Sequence, residues 1–169
     1  MSKIINKQPS ARECFVCGTE NNKGLHASFY ETDTNEIEAV FTPHRMHQSY
    51  PGRLHGGIAA CILDETIGRA VQIEQPDIWG VTAQLTVSYK KPLPYGEELK
   101  ALGRITKQSR LLFEGEGEIY TSDGQIAVTA KAKYFKMRIG RICDGLDGED
   151  WKLHIDSDEA SRRHSSLDT

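Results

Sequence analysis

The segment HGGIAACILDETIGRAVQI, His55 to Ile73, is the one stretch of this chain whose apolar spacing supports a long helix. Ile58, Ile62, Leu63, Ile67, Ala70, Val71 and Ile73 leave few polar directions, so such a helix is buried around most of its circumference. EQPD then stops it. Two local rules break inside the segment. Gly56 and Gly57 are poor helix formers, and Asp64 and Glu65 directly follow the apolar pair Ile62 and Leu63. Breaches this close together mark candidate functional positions.

Elsewhere the dominant period is two. Leu25 to Glu31 and Glu36 to Thr42 are β-rich and flank TDTN, which predicts a hairpin. In TAQLTVSY the residues Ala83, Leu85, Val87 and Tyr89 alternate with polar ones, and LKALGRIT (Leu99 to Thr106) alternates again. Phe113, Gly115, Gly117 and Ile119 share a face opposite Glu114, Glu116 and Glu118. The last strand should point Ile126, Val128, Ala130, Ala132 and Tyr134 inward and Thr129, Lys131 and Lys133 outward. Glutamates and lysines on adjacent antiparallel strands would pair across a solvated face. A sheet must bury its apolar face, and one helix is available to cover it. The expected class is α+β, a curved antiparallel sheet wrapped around one long central helix. Residues 1–12 form a polar lead-in, 13–137 the domain, and 138–169 a polar tail, where Trp151, Leu153 and Ile155 alternate and would dock on the domain or a partner chain.

The 169 residues suit one domain, and a net charge of -3 argues against tracking a phosphate backbone, so nucleic acid is not an expected partner. The longest apolar run, Ile58 to Leu63, is far too short to span a membrane, and the N-terminus lacks a signal-peptide core. A cytoplasmic protein is expected. Cys14, Cys17, Cys61 and Cys143 have no framework spacing, so reduced thiols are the default. CFVCG has metal-knuckle spacing, but a structural zinc site needs four ligands and no second CxxC exists. His26 or His44 could supply ligands, or a second copy of the chain could. The expectation is no metal, with both cysteines as small half-buried residues.

Several linked motifs carry a resemblance. Asp64 stands nine positions after His55 of HGG, Thr82 opens TAQLTVSYKKP, CFVCGTENNKGL precedes the hairpin, and QSYPGRLHGG leads into the helix. Together, over roughly residues 14 to 137, they resemble the hotdog-fold acyl-CoA thioesterases, in particular the phenylacetyl-CoA thioesterase-like (PaaI-like) branch. The resemblance implies a hotdog fold, hydrolysis of an acyl-CoA thioester, no cofactor beyond the coenzyme A of the substrate, and dimers joined edge to edge, commonly as dimers of dimers. It assigns carbonyl polarisation to the Gly56 amide. Asp64 becomes nucleophile or general base, Thr82 orients the water or the carboxylate, and His55 braces the loop. Gln48 or Ser49 would hold the carbonyl or the attacking water. Lys90, Lys91, Arg104, Lys107 and Arg110 are candidate cations for coenzyme A phosphates, with Ser109 and Arg110 where relatives often contact the nucleotide.

The physical reading of the same residues agrees. The leading N–H groups of a helix lack intrahelical partners and favour negative charge, and Gly56 and Gly57 let a substrate approach the backbone. Consecutive helix residues point about 100° apart, so Asp64 and Glu65 cannot both face one site, and the resemblance, whose acid stands nine positions after its histidine, selects Asp64. Gly56 and Asp64, eight residues apart, are separated by about 12 Å along a helix, whereas reacting atoms meet within roughly 3.5 Å. One chain cannot bring both to one carbonyl. A two-fold homodimer with shared sites can. Two other functions fit the same fold: a module that binds acyl-CoA without turnover, which has no use for Asp64 and Thr82, and a hydratase or dehydratase, whose catalytic histidine lies in a different motif.

Overall fold

The computed structural model describes residues 2–143. Seven strands make one antiparallel sheet: β1 (Ile4–Lys7), β2 (Ser28–Thr32), β3 (Ile37–Phe41), β4 (Ile78–Tyr89), β5 (Leu99–Gln108), β6 (Leu112–Tyr120) and β7 (Ile126–Arg138), in the order β1-β2-β3-β5-β6-β7-β4. Helix α1 (Gly56–Arg69) packs on β3, β4, β5, β6 and β7, so the sheet curls around it as the periodicities require. A kink at Ala70 separates α1 from a short α2 (Val71–Glu74), and together they fill the predicted helical segment.

Ile62, Leu63 and Ile67 on α1 are fully buried. Their seat is made of glycine. A Cβ on Gly115 would lie 2.5 Å from Ile67 Cγ2, and one on Gly103 would lie 2.8 Å from the Thr66 carbonyl. The sheet therefore has to be bare here for the helix to come this close. Phe113, Gly115, Gly117 and Ile119 face inward as the alternation predicts. On the outer face Glu114 is registered with Lys133 and Glu116 with Lys131, and Lys133 Nζ lies 3.3 Å from Glu114.

Some expectations shift. Ile126, predicted inward, starts β7 with 37% exposure, because the register with β6 shifts between Ile119 and Tyr120 and Ala127 is buried in its place. The lead-in supplies an edge strand: β1 pairs with β2, and Gln8 beyond it is buried, donating to Glu31 and to the Arg69 carbonyl. β7 runs one residue past the predicted domain end into a single turn, α3 (Ile139–Ile142). Trp151, Leu153 and Ile155 lie outside the described residues. β4, twelve residues long, is a sheet edge whose outer side has no partner among the described residues, and Thr82, Ala83 and Gln84 are exposed along it.

Candidate active site

Helix α1 presents different chemistry along its length. At its start His55 is the N-cap: its backbone is extended (φ -67, ψ 133) and its Nδ1 accepts the Gly57 N–H at 2.9 Å. The Ile58 N–H bonds the His55 carbonyl at 3.0 Å. That leaves the Gly56 N–H, the leading amide of the helix, without a hydrogen-bond partner among the described residues. His55 thus caps the helix, and Gly57 has its amide engaged. The glycine at 56 also has a packing reason. The Tyr89 ring would lie 3.3 Å from a Cβ there, and the Tyr89 hydroxyl donates to the Gly56 carbonyl at 2.8 Å.

Asp64 sits eight residues along an unbroken helix, so the separation of about 12 Å from the Gly56 amide stands. Its carboxylate accepts the Thr82 hydroxyl at 2.9 and 3.1 Å. From the other side Tyr134 donates to the Asp64 carbonyl at 2.8 Å and to Oδ1 at 3.1 Å. Tyr134 stacks on Phe113 with centroids 4.7 Å apart, which fixes the direction of its hydroxyl. Burial pushes the Asp64 carboxyl above the usual range, while the two hydroxyls pull the other way. A half-buried carboxylate held only by neutral donors stays free to attack or to take a proton.

Asp64, Thr82 and Tyr134 line a cavity of about 480 Å³, walled also by Cys14, Trp79 and Ile142. A larger cavity of about 610 Å³, by His26 and His44, contains none of these groups. Gln48, Ser49, His55, Gly56 and Gly57 lie outside the Asp64 cavity. Gln48 and Ser49 are exposed in the loop before the helix, where Gln48 bridges Leu54 and the Ser49 N–H bonds the Arg53 carbonyl. The candidates therefore fall into two groups, one at the start of α1 and one about 12 Å along it.

This geometry has relatives, and residues 51–128 match the family model of the thioesterase superfamily. The chain has the hotdog fold and resembles the thioesterase superfamily over residues 51–128. It is similar to the acyl-coenzyme A thioesterase THEM4 of Rattus norvegicus, 29% identical over 135 residues, covering 78% of this chain and 56% of that one. The crystal structure of a thioesterase superfamily protein superposes with a TM-score of 0.67 at 28% identity, covering 73% of this chain and 60% of the other. A Bacillus halodurans protein crystallised with CoA superposes at a TM-score of 0.55 and 29% identity, over 59% of this chain and 66% of that one. The chain thus spans little more than half the length of the rat protein.

On the hotdog scaffold the candidate cations fare unequally. Arg104 is a correction: it lies mid-strand on β5, its guanidinium bonded to Glu116 at 2.6 Å, Glu118 at 2.8 Å and Glu36 at 3.4 Å, which pushes it further up and leaves it serving the sheet. Ser109 exchanges bonds with the Leu112 N–H and carbonyl at 3.1 Å and so closes the β5–β6 turn. Lys90, Lys107 and Arg110 are exposed, and Lys91, also exposed, bonds Gln125. Two residues of the site escaped the sequence reading in role, Tyr134 and Tyr89, because their partners lie 70 and 33 positions away. The alternation shows which face they occupy but not what their hydroxyls meet.

Proposed function

We propose that this protein hydrolyses acyl-CoA thioesters to a free acid and coenzyme A, at sites shared between the two chains of a dimer. The observation that carries the reading is the Asp64 carboxylate, held by Thr82 and Tyr134 in a cavity about 12 Å along the helix from an unpartnered Gly56 amide. The match to the thioesterase superfamily and the similarity to a protein crystallised with CoA support the substrate class. The unpaired edge of β4 supports the assembly: an uncovered strand of twelve residues invites pairing, and Thr82 on it would then lie at the seam. The thioester oxygen takes the Gly56 N–H of one protomer, a donor worth about 3 kcal/mol to the developing oxyanion. Asp64 of the second protomer either attacks the carbonyl carbon, giving an anhydride that water then cleaves to the free acid, or deprotonates the water that attacks. Either way the sulfur leaves as the coenzyme A thiolate. Lys90, Lys107 and Arg110, exposed at strand ends, are the cations that suit its phosphates.

Free thiol release from a panel of acyl-CoAs, with the wild type beside Asp64→Asn, tests this. Release by the wild type and its loss in the variant are expected. Full activity in the variant removes Asp64 from the reaction. CoA esters bound but not cleaved by either protein would make this a binding module.

A further inference from the structure

The CFVCG motif is not used in the chemistry above, yet Cys14 and Cys17 form the one tight cluster of ligating groups among the described residues. Their sulfurs and a Glu65 carboxylate oxygen all lie within 4.8 Å of one another. The turn that joins the thiols is closed by the Gly18 N–H on the Cys14 carbonyl at 2.8 Å, and only glycine fits, since a Cβ there would come 2.2 Å from that oxygen.

The donors around the sulfurs separate a metal site from a dithiol. Val16 N–H points at Cys14 Sγ (3.3 Å), Ala11 N–H at Cys17 Sγ (3.5 Å), and the buried Arg69 guanidinium at Cys17 Sγ (3.2 Å). The same guanidinium lies 2.8 Å from Glu65 and 4.3 Å over the Phe29 ring. A divalent ion would have three protein ligands with a fixed positive charge against two of them, one short of a structural set and opposed by Coulomb repulsion. For a thiolate the same charge is an asset. The Cys14 thiol is pushed down to about 7, chiefly by the hydrogen bond from Cys17, whose own thiol is pushed up in consequence. Exposure divides the roles further. Both thiols line the cavity of about 480 Å³, but Cys14 is half-buried whereas Cys17 is 2% exposed.

We propose that Cys14 and Cys17 are a redox-active dithiol that reduces low-molecular-weight disulfides, with Cys14 attacking, Cys17 resolving and Glu65 accepting the proton. The Cys14 thiolate attacks one sulfur of R–S–S–R, forming a Cys14–S–S–R mixed disulfide as the first R–S⁻ leaves. Glu65, which accepts the Cys14 S–H at 3.4 Å, has taken the Cys14 proton. Cys17 gives its own to the first released R–S⁻ and attacks the Cys14 sulfur, so the Cys14–Cys17 bond forms and the second R–S⁻ departs with the proton Glu65 held. Two electrons move from the pair to the small disulfide, and the two cysteine protons end on the two released thiols. This activity is independent of thioester hydrolysis, and its readout is thiol state.

The test uses full-length protein with Cys61→Ser and Cys143→Ser, exposed to oxidised glutathione and followed by alkylation and mass spectrometry. Both remaining thiols of the native pair should be lost to an internal disulfide. Cys17→Ser should trap glutathione on residue 14, and Cys14→Ser should trap none. Glu65→Gln should slow the capture of glutathione by Cys14 about a hundredfold, the lower end of what a positioned proton acceptor contributes. The first outcome comes from the native pair, so a variant that misfolds does not remove it. The proposal is overturned if the pair stays reduced, if glutathione lands on Cys17 instead, or if one zinc per chain accompanies the purified protein and is lost in Cys14→Ser.

Discussion

Asp64 meets two hydroxyls, Thr82 and Tyr134, whereas Glu65, one residue on and about 100° around the helix, meets the Arg69 guanidinium at 2.8 Å and the Cys14 thiol at 3.4 Å. The two carboxylates share a helix and a cavity wall but not a chemistry. Neutral donors hold Asp64 in place without fixing its charge, and burial raises its pKa. A buried cation, Arg69, pairs with Glu65 and ties α1 to the N-terminal segment through Gln8 and Pro9. One side of the helix is arranged for reaction and the other for anchoring.

Removing each carboxylate's partner should separate the two roles. Asp64→Asn should lower kcat by about a thousandfold, within the range of a lost acid or base, in steady-state thiol release. The same variant should melt higher than wild type at neutral pH. Because folding raises the Asp64 pKa, the folded chain holds the proton more tightly than the unfolded one, so stability is highest below the ordinary carboxylate range and falls as pH rises through the raised pKa. Asparagine removes that loss, and a flat melting temperature across the window would be the signature. On the anchoring side Arg69→Ala should cost about 3–5 kcal/mol in denaturant unfolding, since it leaves a carboxylate without its buried cation.

Smaller changes sharpen the contrast. Thr82→Val and Tyr134→Phe each remove a donor that lowers the Asp64 pKa, so the acid limb of kcat/KM should move to higher pH in both. About a tenfold loss of kcat/KM should accompany the move, the worth of one hydrogen bond to a charged group. A substitution that merely loosened the fold would leave the limb in place. The smallest effect belongs to His55→Ala, which removes the N-cap bond to Gly57 and should cost about 1 kcal/mol of stability.

Much of this was legible in the sequence where periodicity carries it. The helix, the alternating strands and the inward glycines at 115 and 117 follow from spacing, whereas the choice of Asp64 over Glu65 follows from the resemblance. Long-range register was not legible. Arg104 reads as a free cation until β5 sets it opposite Glu116. Tyr134 reads as core until β7 brings its hydroxyl to Asp64. IINK, only four residues long, shows no alternation, and its strand pairing exists because β2 offers an edge. Cys14 and Glu65, 51 positions apart, meet only when the N-terminal turn folds against α1.

The central claim is that the Gly56 amide and the Asp64 carboxylate serving one thioester come from different chains. Two inactive variants test it by mixing. Gly56→Pro deletes the leading N–H at a helix position that tolerates proline, after a residue already extended, and Asp64→Asn deletes the acid. Unfolded together in equal amounts and refolded, they should form half heterodimers, each with one intact site of two, and recover about a quarter of wild-type thiol release. Heterodimers confirmed by mass that show no activity above the two variants alone would place both groups in one chain and contradict the account.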